Sequence, residues 1–158
     1  MTKEKIRGYT RRITMANKTQ MITILYEMVL DYICEAEDSL ELHDENGFSG
    51  SLSKAMSCID ELIHSLNVKY ELGRNLLALY LFEKKQIIKA SARISSEELV
   101  HVKRTFEKLH EAYLELETKN NEEALMMNVP KVYAGLTYGR GRLEESITGN
   151  LMSRGYMA

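Results

Sequence analysis

The segment Asn75–Ala90, NLLALYLFEKKQIIKA, constrains this chain more than any other stretch, because its apolar side chains form two stripes rather than one. At about 100° per residue, Leu72, Leu76, Leu79, Tyr80, Ile87 and Ala90 fall within roughly 100° of arc. Tyr70, Leu77, Leu81 and Ile88 form a second row about 120° away. A helix that only rests on a core needs one stripe. One that is apolar over most of its circumference is either central to a bundle or shows a face to a partner.

The rest of the chain frames that choice. Its 158 residues suit about one domain and are enough to bury a core without disulfides or metal. The two cysteines, Cys34 and Cys58, fit neither a disulfide framework nor a zinc site. There is no N-terminal apolar leader and no run of 18 apolar residues, so the expectation is a soluble cytoplasmic protein with no membrane insertion. The net charge of −2 hides a gradient: residues 1–14 carry +4, residues 118–158 carry +1, and the body between them carries −7. A phosphate-binding protein needs a clustered basic face, so nucleic acid is not expected as the main partner. The same gradient suits a basic arm folding onto an acidic body, or simply a solvated basic N-terminus.

Taken in order, residues 1–16 read as an arm, ordered only if it docks, with Ile6, Tyr9, Ile13 and Met15 among polar and basic neighbours. Asn17 is a suitable N-cap for a first helix reaching about Leu42. Its apolar positions, from Met21 to Ala36, span close to half the circumference, with Glu27, Asp31 and Glu35 on the other side. The turn formers of His43–Gly50 end it, and Ser49 or Ser51 can cap a second helix running to Leu66. The short link Asn67-Val68-Lys69 makes the second and third helices antiparallel neighbours. The third ends near Ala92. Ser95 and Glu98 offer a capping box for a fourth, which carries Leu99, Val102, Phe106, Leu109, Tyr113 and Leu116 on one face and stops at Asn120-Asn121. The expected fold is all-α: an antiparallel up-down four-helix bundle (17–117) with an N-terminal arm (1–16) and a C-terminal Gly/Tyr-rich tail (118–158). In that tail, five of the nine glycines lie between Gly135 and Gly155, and Tyr133, Leu136 and Tyr138 are the residues expected to dock if it docks at all.

No catalytic constellation emerges. Glu61-x-x-His64 and Glu107-x-x-His110, with Glu27 and Glu83, have the spacing of a di-iron carboxylate site. However, Glu61 and His64 lie roughly 140–160° from their helix's apolar stripe, so the ligands diverge. Glu83 falls within its helix's inward stripe and is expected to snorkel or to pair with Lys84 or Arg93. Neither cysteine has a base beside it, and no strand precedes a glycine-rich loop. The expectation is therefore a non-enzyme without cofactor or metal. What remains is surface. The row Tyr70, Leu77, Leu81 and Ile88 either receives an amphipathic helix from a partner, or packs on another bundle helix or a second subunit.

Several segments together resemble the flagellar secretion chaperone FliS family. Ala16-Asn17 followed by Met21-Ile22-Thr23-Ile24-Leu25-Tyr26-Glu27 is similar to that family's first-helix opening, and Asn75-Leu76 with Leu79-Tyr80, Ile87 and Ala90 to its third-helix motif. Leu109-His110-Glu111-Ala112-Tyr113 sits where the family has Leu-Arg-acid-x-Trp, and Tyr9 where its arm carries a tyrosine. Lys18 stands in place of a usual proline, Leu81 of a usual acid and Glu83 of a usual apolar residue. The resemblance implies a cytoplasmic export chaperone, monomeric or weakly dimeric. It would hold the disordered C-terminal segment of flagellin, prevent premature polymerisation and keep the cargo competent for type III flagellar export, with other flagellar export components as further candidate partners. It also implies a cargo face that adds Leu25, Tyr26 and Tyr113 to the row on the third helix, and an arm whose Ile6, Tyr9 and Ile13 cap the same groove when cargo is absent.

Overall fold

The computed structural model describes residues 1–126, with side chains through Lys119. These residues form five helices and no strand: α1 (Lys3–Met15), α2 (Lys18–Glu41), α3 (Glu45–Ser65), α4 (Glu71–Arg93) and α5 (Glu97–Met126). The fold is all-α over this range. One compact unit spans Met1–Leu116, a second begins at Glu117, and everything that follows concerns the first. The positions expected in the tail (Tyr133, Leu136 and Tyr138) lie outside the described residues.

Local chemistry accounts for most helix ends. Asn17 caps α2 by accepting from the Gln20 backbone N–H, while the Gln20 side chain accepts from the Asn17 N–H, so two otherwise orphaned donors are satisfied together. The expected start of α3 is corrected. Asp44, not Ser49 or Ser51, is its cap, and the helix begins at Glu45 inside the stretch read as a turn. His43 takes a left-handed conformation (φ 59°) that closes the α2–α3 link in very few residues. Phe48 then falls on the same inward face as Leu52, Ala55 and Ile59, and it is completely buried. Burial of a phenyl ring outweighs the turn preference of its neighbours. The expected Ser95–Glu98 capping box does not form either. Ser95 Oγ accepts from the Glu97 N–H, whereas Glu98 reaches back to Lys89 and Arg93 of α4. The stop expected at Asn120-Asn121 is overrun, since α5 runs to Met126.

Helices α2 to α5 all contribute to one apolar cluster. At its centre an aromatic layer joins three of them. Tyr26 of α2, Tyr80 of α4 and Phe106 of α5 have ring centroids 5.9–6.5 Å apart, and Tyr113 meets Tyr26 edge-on at 5.3 Å. The Tyr26 and Tyr80 hydroxyls hydrogen-bond to each other at 2.5 Å, so neither polar tip is stranded in the core. Burial pushes the Tyr80 phenol up to about 12 and raises Tyr26 further, so both keep their protons. Leu72, counted above with the inward stripe of α4, lies in that helix's first turn and is exposed.

Candidate functional site

Two surfaces on this core bear on function, one covered and one open. The covered one is the outer flank of α2. Glu27, Asp31 and Glu35 are spaced four apart and therefore line up along one side of the helix. The N-terminal segment is helical and lies along them. The Met1 ammonium pairs with Glu35, Lys5 Nζ with Asp31 at 2.7 Å, and Tyr9 donates its hydroxyl to Asp31 at 2.5 Å. Arg12 grips both oxygens of Glu27 at 2.5 and 2.8 Å. Tyr9 is buried beneath α1, and Ile24, which points away from the main core of α2, is buried as well. Burial and the Asp31 hydrogen bond together raise the Tyr9 phenol, which keeps it a donor.

This docking corrects how the arm was expected to attach. Of the three residues expected to cap the groove, only Tyr9 is buried. Ile13 is half-buried and Ile6 largely exposed, so charge carries the contact and Ile6 contributes little. The arm lies on α2 and does not close the row on α4, because its cations follow the acidic ladder. Glu27 also receives the His110 ring of α5, Nε2 standing 3.3 Å from Oε1, so α1, α2 and α5 meet at one carboxylate. Burial alone would raise the Glu27 pKa, but the Arg12 hydrogen bonds and charge, with His110 behind them, bring it below its ordinary value.

A pH dependence follows from that lowering. The folded carboxylate binds its proton less readily than the unfolded one. Its contribution is therefore fully present above the ordinary glutamate value of about 4.3 and is lost as pH falls through the lowered value. Hydrogen exchange should show α1 losing protection under acid before α3 and α4 do. Loss of protection in all helices at one pH would exclude Glu27 as the hinge of arm docking.

The open surface is the second row on α4. Tyr70 is 61%, Leu81 47% and Ile88 53% exposed, with Leu77 half-buried among them. Lys84, on the same side of α4, reaches Asp60 of α3 at 2.5 Å, which places the row along the α3–α4 seam. The half-buried Met56 and Ile63 share the Asp60 flank of α3, so the seam is apolar from both sides. Leu25 and Tyr26 are not part of this surface. Leu25 is buried and Tyr26 has no exposed area, because both belong to the apolar core. Tyr113 is half-buried at the edge of that core. The sequence-derived set thus separates into an open row, a core pair with its rim, and an arm on a different face.

Glu61, His64 and Glu107 are exposed, and no three His, Cys, Asp or Glu side chains converge among the described residues. Burial, with Glu61 nearby, pushes the Cys58 thiol up to about 11, away from nucleophilic reactivity. No helix among the described residues is long and apolar enough to cross a membrane. Sequence reasoning missed the depth of Glu83, which is fully buried. Its place in the inward stripe was the signal, but Lys84 and Arg93, its expected partners, are engaged by Asp60 and Glu98.

A family profile described as flagellar protein FliS matches residues 2–120, which covers α1 to α4 and most of α5. The chain is 30% identical over 89 residues to the flagellar secretion chaperone FliS of Escherichia coli (strain K12), a match that takes in 54% of this chain and 65% of that protein. The matched stretch thus spans slightly less than two thirds of the relative's length. On the family match across most of its length, the chain belongs to the FliS family of flagellar proteins.

Proposed function

We propose that this protein is a cytoplasmic flagellar export chaperone which binds the C-terminal segment of flagellin, keeps it from polymerising and leaves it competent for export. The observation that carries the reading is the open apolar row Tyr70, Leu77, Leu81 and Ile88 along the α3–α4 seam, in a member of the FliS family. Helices α2 to α5 act as an up-down bundle that holds the row rigid. A segment that is disordered when free folds as it lies down on that surface. Coupled folding offsets part of the gross binding energy but lets the segment cover a large area. Each large side chain of the row contributes roughly 1.5–3 kcal/mol before ordering costs when fully buried. The activity is binding, with no catalytic step and no cofactor. Helix α1 serves as a separate cover on α2, held by charge, and its release would open the Ile24 flank to cargo or to another export component.

Calorimetry with the C-terminal forty or so residues of the same organism's flagellin tests this reading. The expected result is a one-to-one complex that Leu77→Asp and Leu81→Asp each weaken roughly tenfold or more, because a partner's apolar side chain would bury an unpaired charge. Unchanged affinity in both variants would remove the row as the cargo face. The same exposed row also supports self-association. Sedimentation showing a tight dimer that the flagellin segment fails to dissociate would favour that second reading.

A further inference from the structure

Glu83 sits in the inward stripe of α4 with Leu76, Tyr80 and Ile87, and its side chain has no exposed area. No donor among the described residues hydrogen-bonds to either carboxylate oxygen. The basic side chain that approaches it is His101 of α5, whose Nδ1 stands 3.4 Å from Oε1, short of a hydrogen bond. The neighbouring cations are committed elsewhere: Lys84 to Asp60 at 2.5 Å, Lys89 and Arg93 to Glu98 at 2.9 and 3.1 Å. The molecule thus pairs its surface charges closely and leaves its most deeply buried acid without donors. A carboxylate has about four acceptor sites, and one imidazole N–H fills at most one of them. Left so, the group is costly in a low-dielectric interior.

The surroundings suit a particular ligand. On the α5 side the acid is approached by a surface side chain, His101, which is 62% exposed. The Phe82 ring meets the imidazole edge-on at 6.0 Å and is itself about half exposed. A rotamer change at His101, which for an exposed side chain takes picoseconds to nanoseconds, would take the imidazole off the carboxylate. A guanidinium brings five N–H donors in a planar fork that matches a carboxylate, and it stacks favourably on an aromatic rim.

We infer that Glu83 is the floor of a cation-binding subsite between α4 and α5, gated by His101 and rimmed by Phe82, that takes an arginine side chain of the carried segment. The occupant's identity rests on the chaperone reading above; the subsite itself does not. It lies on the α5 side of α4, opposite the Leu81 row. A wrapping segment would therefore be held by apolar contact on one side of α4 and by charge on the other.

The test uses the full chain with n-butylguanidinium as the probe, at constant ionic strength, read by the ring resonances of His101. Wild type should show a saturable shift at His101, and Glu83→Gln, which keeps the shape and removes the charge, should abolish it. A shift that does not saturate in wild type, or that persists in Glu83→Gln, overturns the subsite. His101→Ala leaves the acid and removes its cover, so butylguanidinium should raise its melting temperature more than it raises that of wild type. A response no larger than that of Glu83→Gln refutes the gate. With the flagellin C-terminal segment, Glu83→Gln should bind at least roughly tenfold more weakly, the loss expected when one partner of a buried charge pair is removed. Equal binding by wild type and Glu83→Gln overturns the assignment of arginine to that segment. If the segment binds neither protein while butylguanidinium saturates wild type alone, the chaperone reading fails and the subsite stands. If the segment binds both equally and butylguanidinium never saturates, the subsite fails and the chaperone reading stands.

Discussion

Phe106→Ala should destabilise the protein by about 3–5 kcal/mol, the usual cost of truncating a fully buried aromatic ring. Phe106 stacks nearly parallel on Tyr80 (6.3 Å, 6°) and tilts against Tyr26 at 5.9 Å, so this one side chain of α5 meets both α2 and α4. The cavity left by alanine cannot close easily. The Tyr26 and Tyr80 rings are tied by their shared hydroxyl contact, and following the void would break it. Urea unfolding should show the midpoint falling with little change in slope. A loss under about 1 kcal/mol would mean that the aromatic layer collapses onto the gap and is less rigid than its geometry implies.

Gly73→Ala should cost about 1–3 kcal/mol through overpacking. A β-carbon at Gly73 would stand 2.1 Å from the Asn67 carbonyl oxygen, which is backbone and is held by the Tyr70 N–H. The obstacle is close approach between the first turn of α4 and the end of α3, since Gly73 itself has ordinary helical backbone angles. Relief requires the α3–α4 turn to open, which moves Tyr70 and the start of the exposed row. Beyond a lowered melting temperature, Gly73→Ala should therefore weaken binding of the flagellin segment, whereas Gly50→Ala, with open space at its β-carbon, should do neither. Equal effects at the two glycines would contradict the close-approach argument.

The sequence exposed the helices because their signals are local. Spacing of apolar residues, the Asn17 cap and the short Asn67–Lys69 link depend only on neighbours in the chain, and α2 and α4 begin and end within a residue or two of where those signals place them. The start of α3 was not legible, because the burial of Phe48, a long-range effect, overrode a run of good turn formers. The same limit governs the candidate site. Helical periodicity separated the row of Tyr70, Leu77, Leu81 and Ile88 from the core stripe; Tyr70, Leu81 and Ile88 are exposed and Leu77 is half-buried. It could not say that Tyr26, a member of a recognisable motif, points wholly into the core, since motif position carries no information about what lies opposite.

Charge shows the division most clearly. The basic arm, the acidic body and the four-residue spacing of Glu27, Asp31 and Glu35 are all properties of the sequence, and they allowed a docked arm and a solvated one alike. Only the tertiary structure decided where, because α5 brings His110 to Glu27 and so fixes which flank of α2 the arm can share. The same holds for Glu83. The sequence set its angle on α4, but its burial depends on α5 lying across it and on Lys84 and Arg93 finding other carboxylates. Periodicity is written along one helix, whereas pairing and desolvation are set by the helices that pack against it, which a one-dimensional pattern does not contain.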